Sequence, residues 1–186
     1  MNKAKPKLLI TRPQPYANQL ASQLQQAGYH TLCQSLFDYQ ARNNLAQLNQ
    51  LFSQLPANNN PIYIFVSVAS VTFANNVKPI SSWPKGQFIA IGETTKTTLN
   101  NVNVKHVIVP ERHTSEGLLS LTALEEIPET PVIIIRGDGG RELIAEQLRR
   151  KGGQVNYFES YQKHWLKIPS ITVNHWQNEK VDGVII

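Results

Sequence analysis

A glycine-rich run, Arg136-Gly137-Asp138-Gly139-Gly140-Arg141, has a composition suited to binding an anion. It follows the apolar run 132–135 and precedes a segment with helical spacing. Backbone N–H groups of glycines at a helix N-terminus can approach an anion closely, and arginine pairs with carboxylates. The spacing matches neither GxGxxG nor GxxxxGK[ST], so no nucleotide site is predicted. The alternative is a tight turn whose glycines only permit the backbone path and whose Arg141 pairs with a local carboxylate.

Other apolar runs are also followed by groups that could bind a ligand. These candidates are Arg12, Ser67, Gly92, Thr95 and Ser115. Ser67 and Ser115 each open a predicted helix, and a hydroxyl there either caps that helix or contacts a ligand.

Tyr161 follows the predicted strand 155–158. Its phenol either donates a hydrogen bond into a cleft or covers an apolar edge.

The cysteine and histidine content argues against several classes of protein. A single cysteine, Cys33, cannot form an internal disulfide or a cysteine-based metal site. The five histidines form neither an HExxH motif nor an i, i+4 pair. We therefore expect no metal. The apolar run at 8–10 is too short for a signal peptide, and no stretch is long and apolar enough to span a membrane. A reducing cytoplasm is the expected location.

The charge is distributed unevenly along the 186 residues, whose net charge is +5. Residues 38–161 contain 11 basic and 11 acidic side chains, so the excess lies in the segments before and after them. No basic helix with interleaved aromatic residues occurs, so nucleic-acid binding is not predicted. An anionic small ligand fits this charge better.

Short apolar runs alternate with segments of helical spacing. The runs lie at 8–10, 62–66, 88–91, 107–109 and 132–135. Strands that are apolar throughout are typically buried on both faces, which predicts doubly wound parallel sheets of the α/β class. Ligands bind such sheets beyond the carboxyl ends of the strands, where the candidate residues lie. The last residues, 181–186, have the pattern of another buried strand, and we expect a chain truncated at that point.

Taken in order, six segments of the chain resemble uroporphyrinogen-III synthase. They are Ile10-Thr11-Arg12-Pro13, Phe65-Val66-Ser67, Ala90-Ile91-Gly92-Glu93-Thr94-Thr95, Thr114-Ser115-Glu116-Gly117-Leu118-Leu119, Arg136-Gly137-Asp138-Gly139-Gly140-Arg141, and Ser160-Tyr161-Gln162. The resemblance implies two α/β lobes joined by two extended segments. The first lobe would be discontinuous, comprising 1–37 and 163–186, and 38–162 would be the inserted second lobe.

The resemblance also implies a reaction of tetrapyrrole (haem) biosynthesis. Hydroxymethylbilane, a linear tetrapyrrole with eight carboxylates, would lose water and close to uroporphyrinogen III, with its ring D inverted through a spiro intermediate. This activity is that of a carbon–oxygen lyase without a cofactor. Tyr161 is the implied catalytic residue. The implied substrate-binding residues are Arg12, Ser67, Gly92, Thr95, Ser115, Arg136, Gly137, Gly140 and Arg141.

The expected protein is a monomer, with the enzyme that produces hydroxymethylbilane as a candidate partner. Two alternatives are a non-enzymatic α/β module that binds a small anion and an inactive fragment of the enzyme.

Overall fold

A computed structural model describes residues 5–42, 44–56, 60–140 and 142–186. In chain order its strands and helices are β1 (Lys7–Ile10), α1 (Tyr16–Gln26), β2 (His30–Cys33), β3 (Phe37–Ala41), α2 (Leu45–Ser53), β4 (Ile62–Phe65), α3 (Val68–Val77), β5 (Gln87–Ala90), α4 (Glu93–Asn101), α5 (Ser115–Leu119), β6 (Pro131–Gly137), α6 (Leu143–Arg150), β7 (Gln154–Trp165), α7 (Ser170–Asn178) and β8 (Gly183–Ile185). Short 3₁₀ helices lie at Ile80–Ser82 and Thr122–Leu124.

The chain divides into two compact units. One comprises Met1–Gln40 with Lys163–Ile186, and the other comprises Ala41–Gln162. Strands β3 and β7 both extend across the division. The sequence predicted a discontinuous first lobe of 1–37 with 163–186 and an inserted second lobe of 38–162, and this assignment of lobes stays a prediction.

The first unit contains a parallel sheet in the order β2-β1-β8. Helix α1 packs Ala17 and Ala21 against Ile10, and Gly28 follows its end with φ +82°, as the predicted βα unit requires. Strand β8 pairs with β1 as an edge strand of the described sheet. The sequence predicted that this strand would be buried, which is wrong for Val184, whose exposed fraction is 57%. Ile185 packs toward Ile10, and Val184 lies on the opposite face of β8.

A second sheet has the strand order β3-β7-β6-β4-β5. Strands β4, β5 and β6, and β7 as far as Gln162, belong to the second unit. Strands β7, β6, β4 and β5 are parallel. Helices α2, α3 and α4 cover one face, and α5 and α6 cover the other. All four residues of β4 are buried, as expected for a central strand with helices on both sides. The predicted doubly wound α/β class is confirmed.

Three sequence-based expectations about elements of this unit were inaccurate. The segment 107–109 is not a strand: Ile108 forms an isolated bridge to Ile89, between a left-handed His106 and Pro110, which has no N–H group. The helix expected at about 115–121 ends at Leu119. The strand expected at 155–158 continues to Trp165, so that Tyr161 lies within it rather than after it.

A substitution at Leu148 can test the packing of the core beneath α6. The side chain of Leu148 has no exposed surface there. Leu148→Ala should lower the free energy of unfolding by about 2 to 5 kcal/mol in urea titrations, because it leaves a cavity among apolar side chains. Leu45→Ala, at a position with an exposed fraction of 41%, is the matched control and should cost under about 1 kcal/mol. Equal effects of the two substitutions would contradict this packing.

Candidate functional site

The carboxyl ends of β4 and β6 meet at the point where the order of strands in the sheet reverses. The chain passes from β4 to β5 on one side, whereas β6 pairs with β4 on the other. Ser67 directly follows β4, and Gly137 is the last residue of β6. Open α/β sheets bind ligands in the crevice at such a point. The structure therefore brings two of the predicted residues together at the expected edge.

Tyr161 completes this group from the neighbouring strand β7. Its hydroxyl oxygen lies 3.3 Å from the Oγ atom of Ser67, and either oxygen can be the donor. Its ring stacks on Phe73 of α3, with centroids 5.4 Å apart. The ring also lies against Gly137, where a Cβ atom would be 2.5 Å from Cε2 of Tyr161. Tyr161 is buried, and three neighbours constrain its ring and hydroxyl.

From the sequence, Gly137 was predicted to let backbone N–H groups approach an anion. The structure shows a different reason for a glycine, because any larger residue would collide with the tyrosine ring. No left-handed conformation requires glycine at this position, as its φ lies outside the positive region. The requirement is one of space.

Ser67 is held by a reciprocal cap at the start of α3. Its Oγ atom accepts a hydrogen bond of 3.0 Å from the N–H of Ser70, and its own N–H donates 3.2 Å to the Oγ atom of Ser70. The sequence left open whether Ser67 caps a helix or faces the cleft. It caps α3, and the capping oxygen is also the atom that meets Tyr161, while its contact with a ligand stays a prediction. The spacing Ser-x-x-Ser was the sequence signal for this arrangement.

A β-bulge orients Tyr161. Arg136 pairs with Glu159 in the register of β6 and β7, but Gly137 pairs with Tyr161, so Ser160 is an extra residue in β7. Side chains alternate between the faces of a strand, and the extra residue shifts that alternation by one. Tyr161 consequently lies on the α3 face of the sheet, as Phe158 does. Nothing in the sequence indicated this bulge.

Arg136 lies on the opposite face of β6 among acidic and aromatic groups. Its guanidinium nitrogens lie 2.8 Å from Glu142 and 3.5 Å from Glu159, and its Cζ atom lies 3.6 Å from the ring centroid of Tyr157. Arg42 contacts Glu159 at 2.5 Å. Among the described residues, the buried Nε atom of Arg136 has no hydrogen-bond partner.

These contacts also shift the pKa values of some of the groups that form them. The Tyr157 hydroxyl and the Arg136 guanidinium lower the pKa of the Glu142 carboxyl, with the hydroxyl as the larger cause. Burial and the hydrogen bond to Glu142 raise the pKa of Tyr157. The carboxylate partners that the sequence expected in a substrate are supplied to Arg136 by the chain itself.

The remaining predicted residues occupy different positions. Gly92 is the N-cap of α4, packed against His113, and Thr95 is buried within the first turns of that helix. Ser115 does not cap α5: Thr114 does, by accepting a hydrogen bond from Gly117, so that interpretation of Ser115 was wrong.

Two further predicted positions, Arg12 and Gly140, lie in loops. Gly140 is exposed with φ +121°, and Arg141 lies outside the described residues. Arg12 follows β1 in the other unit, where it is exposed.

The described residues contain neither a group of three metal-ligating side chains nor a helix long and apolar enough to cross a membrane.

Comparison with known proteins identifies the family. The family model described as uroporphyrinogen-III synthase HemD matches residues 18–186. The chain belongs to this family. The uroporphyrinogen-III synthase of Proteus mirabilis is 33% identical over 181 residues, covering 94% of this chain and 89% of that protein. That of Escherichia coli (strain K12) is 32% identical over 185 residues, covering 96% of this chain and 74% of that protein.

Solved structures agree on the fold. A mutant uroporphyrinogen III synthase from Thermus thermophilus aligns with 96% of this chain over 71% of its own length, with a TM-score of 0.67 at 12% identity. The wild-type enzyme in another crystal form has a TM-score of 0.57 at 13% identity, and the alignment covers 96% of this chain and 70% of that one. The chain thus has the two-lobed α/β fold of uroporphyrinogen-III synthases and is a lyase of tetrapyrrole biosynthesis, as the sequence predicted.

The contact between Gly137 and Tyr161 can be measured with a double-mutant cycle. Gly137→Ala should lower the free energy of unfolding by about 1 to 3 kcal/mol, because the added methyl group overlaps the tyrosine ring. In a Tyr161→Ala background the same change should be neutral within about 0.5 kcal/mol, since the ring is absent. Urea titrations of the four proteins give the coupling energy. A cost of Gly137→Ala that persists without the ring would place the clash elsewhere.

Proposed function

We propose that the chain converts hydroxymethylbilane to uroporphyrinogen III and that Tyr161 donates a hydrogen bond to the hydroxyl group that leaves. The observation that carries this proposal is the position of its phenol: 3.3 Å from a helix-capping serine, at the carboxyl edge of the sheet, on a ring fixed by Phe73 and Gly137. A proton donor that assists departure of a hydroxyl must be held in one place while the flexible substrate folds around it.

The chemistry needs little beyond a donor and a shaped cleft. The C–O bond of the hydroxymethyl group breaks, the oxygen takes a proton and leaves as water, and the pyrrole nitrogen supplies the electron pair that forms an azafulvene. The substituted α-carbon of ring D attacks the methylene carbon of the azafulvene to give a spiro intermediate. The bond from that α-carbon to the bridge carbon of ring C then breaks, which leaves an azafulvene on ring C. The bridge carbon of this azafulvene is attacked by the unsubstituted α-carbon of ring D. Loss of a proton from that carbon balances the proton used to release water.

The carboxylates of the substrate require positive groups and N–H donors. We propose that the starts of α3 and α4, at Ser67 and Gly92 with Thr95, contact them, since unpaired N–H groups and the helix dipole favour anions there. Further proposed contacts come from Arg12, Ser115, Gly140 and Arg141.

Arg136 and Gly137 have a modified role in this proposal. Glu142 and Glu159 engage the guanidinium of Arg136, so it acts by fixing the end of β6 to the middle of β7 and to the start of α6. Gly137 acts by making room for Tyr161. The monomeric state, the cytoplasmic location and an association with the enzyme that supplies hydroxymethylbilane stay predictions.

Tyr161→Phe should reduce kcat by about 10- to 100-fold, which corresponds to the loss of one hydrogen bond of roughly 1.5 to 3 kcal/mol. Hydroxymethylbilane is generated in place in the assay, and the uroporphyrin isomers are separated after oxidation. Tyr63→Phe is the matched control: it removes another phenol, one that donates to the carbonyl of Pro84 at the other end of the sheet, and should leave kcat within about 3-fold. An unchanged kcat in Tyr161→Phe would remove this tyrosine from the mechanism.

A second double-mutant cycle, of Ser67 with Tyr161, shows whether Ser67 positions the phenol or contacts the substrate. If it positions the phenol, Ser67→Ala should lower kcat by about 10-fold, with a small change in KM, and should have little further effect in a Tyr161→Phe background. Ser67→Thr keeps both the hydroxyl and the cap and should restore most of the activity. A rise in KM with kcat unchanged would instead identify Ser67 as a substrate contact. Urea titrations separate the cost of the lost cap, about 1 kcal/mol, from the effect on catalysis.

A further inference from the structure

A cavity of about 680 Å³ lies at the amino end of the sheet in the second unit. Its walls include Asn60, just before β4, and Gln87, the first residue of β5. Because these strands are parallel, the cavity lies at the edge opposite to Ser67 and Tyr161. Its volume lies within the range of about 300 to 1,000 Å³ that is typical of small-molecule sites.

The inner surface of this cavity is apolar. Ile80, Trp83 and Val104 line it and have exposed fractions of 1%, 6% and 4%. Phe88 and Ile108 add apolar area from β5 and from the segment that bridges it. A ligand with an aromatic or alicyclic body would be desolvated on this surface.

The rim is basic. Lys85 and Lys105 line the cavity from two loops, and the described residues of its lining include no aspartate or glutamate. Neither ammonium group forms an ion pair or a hydrogen bond within the described parts of the chain. Residues 57–59, which precede Asn60, carry no charge in the sequence. Residues 38–161 carry 11 basic and 11 acidic side chains, so this part of the chain has no net charge. The two lysines therefore make the cavity a local positive region within a neutral segment.

Hydrogen bonds fix the walls of the cavity in place. The indole N–H of Trp83 donates to the carbonyl of Lys78 at 3.1 Å, and the N–H of Gln87 donates to the carbonyl of Pro61 at 2.9 Å. The loop that carries Lys105 is closed by the N–H of Val104, which donates to Leu99 at 3.1 Å. A cavity whose walls are held in this way needs little ordering when a ligand binds.

We propose that this cavity binds a small organic anion whose body is aromatic or alicyclic, with the anionic group between Lys85 and Lys105. The apolar inner surface would supply the affinity and the lysines would select the charge. The proposal is independent of the reaction at Tyr161, because the two sites lie at opposite ends of the sheet.

The probe for a test is 8-anilinonaphthalene-1-sulfonate, titrated into the ¹⁵N-labelled full chain. Backbone amide shifts should move at Gly86, Phe88 and residues 104–106 and should saturate with a single dissociation constant. The Lys85→Gln/Lys105→Gln variant should bind about 10-fold more weakly. The control variant Arg150→Gln/Lys167→Gln removes two exposed charges that do not line the cavity and should bind as the parent does.

The neutral analogue N-phenyl-1-naphthylamine separates charge selection from apolar binding. It should bind the parent more weakly than the sulfonate does, and the lysine substitutions should leave its affinity unchanged. Equal affinity for the two probes, equal weakening in both double variants, or shifts confined to other residues would each overturn the proposal.

Discussion

The close approach of the Tyr161 ring to Gly137 is the constraint on which the rest of the site depends. With only 2.5 Å between a hypothetical Cβ atom and the ring, the end of β6 must be a glycine if the tyrosine is to occupy that position. The ring reaches it because the bulge at Ser160 turns Tyr161 toward α3. Phe73 then covers the ring, and the capping oxygen of Ser67 meets its hydroxyl. Each contact limits a different motion of the same side chain.

The two faces of the β6 end have different chemistry. On the α3 side lie the phenol of Tyr161 and the hydroxyl of Ser67. On the α6 side, Arg136 is engaged by Glu142, Glu159 and the face of Tyr157. The bonds around Arg136 connect the loop before α6 to β7 close to the bulge. An arginine at a strand end can therefore support a site without contacting its ligand.

The two edges of the same sheet also differ. The carboxyl edge presents helix starts, which favour anions through N–H groups and the helix dipole. The amino edge presents an apolar cavity with lysines on its rim, which favours anions through side-chain charge. The positive net charge of the sequence does not distinguish binding at helix starts from binding by lysine side chains, because a count of charges does not say where the charges lie in the fold.

The sequence by itself determined the class of fold and the family. Apolar runs such as 62–65 and 132–135 are buried on both faces, so they required helices on each side. The helix ends at Gly28 and Gly152 followed from local backbone geometry. The sequence also identified Tyr161, Ser67 and Gly137 as candidates, because each lies in a motif of a few consecutive residues that can be recognised without the fold. Only the tertiary structure decided what these residues do. The bulge in β7 depends on register against β6, and the need for glycine at 137 depends on a ring 24 positions later in the chain. The partners of Arg136 come from two segments, the loop before α6 and strand β7. Register and contact between distant segments are set by packing, which a linear pattern does not encode.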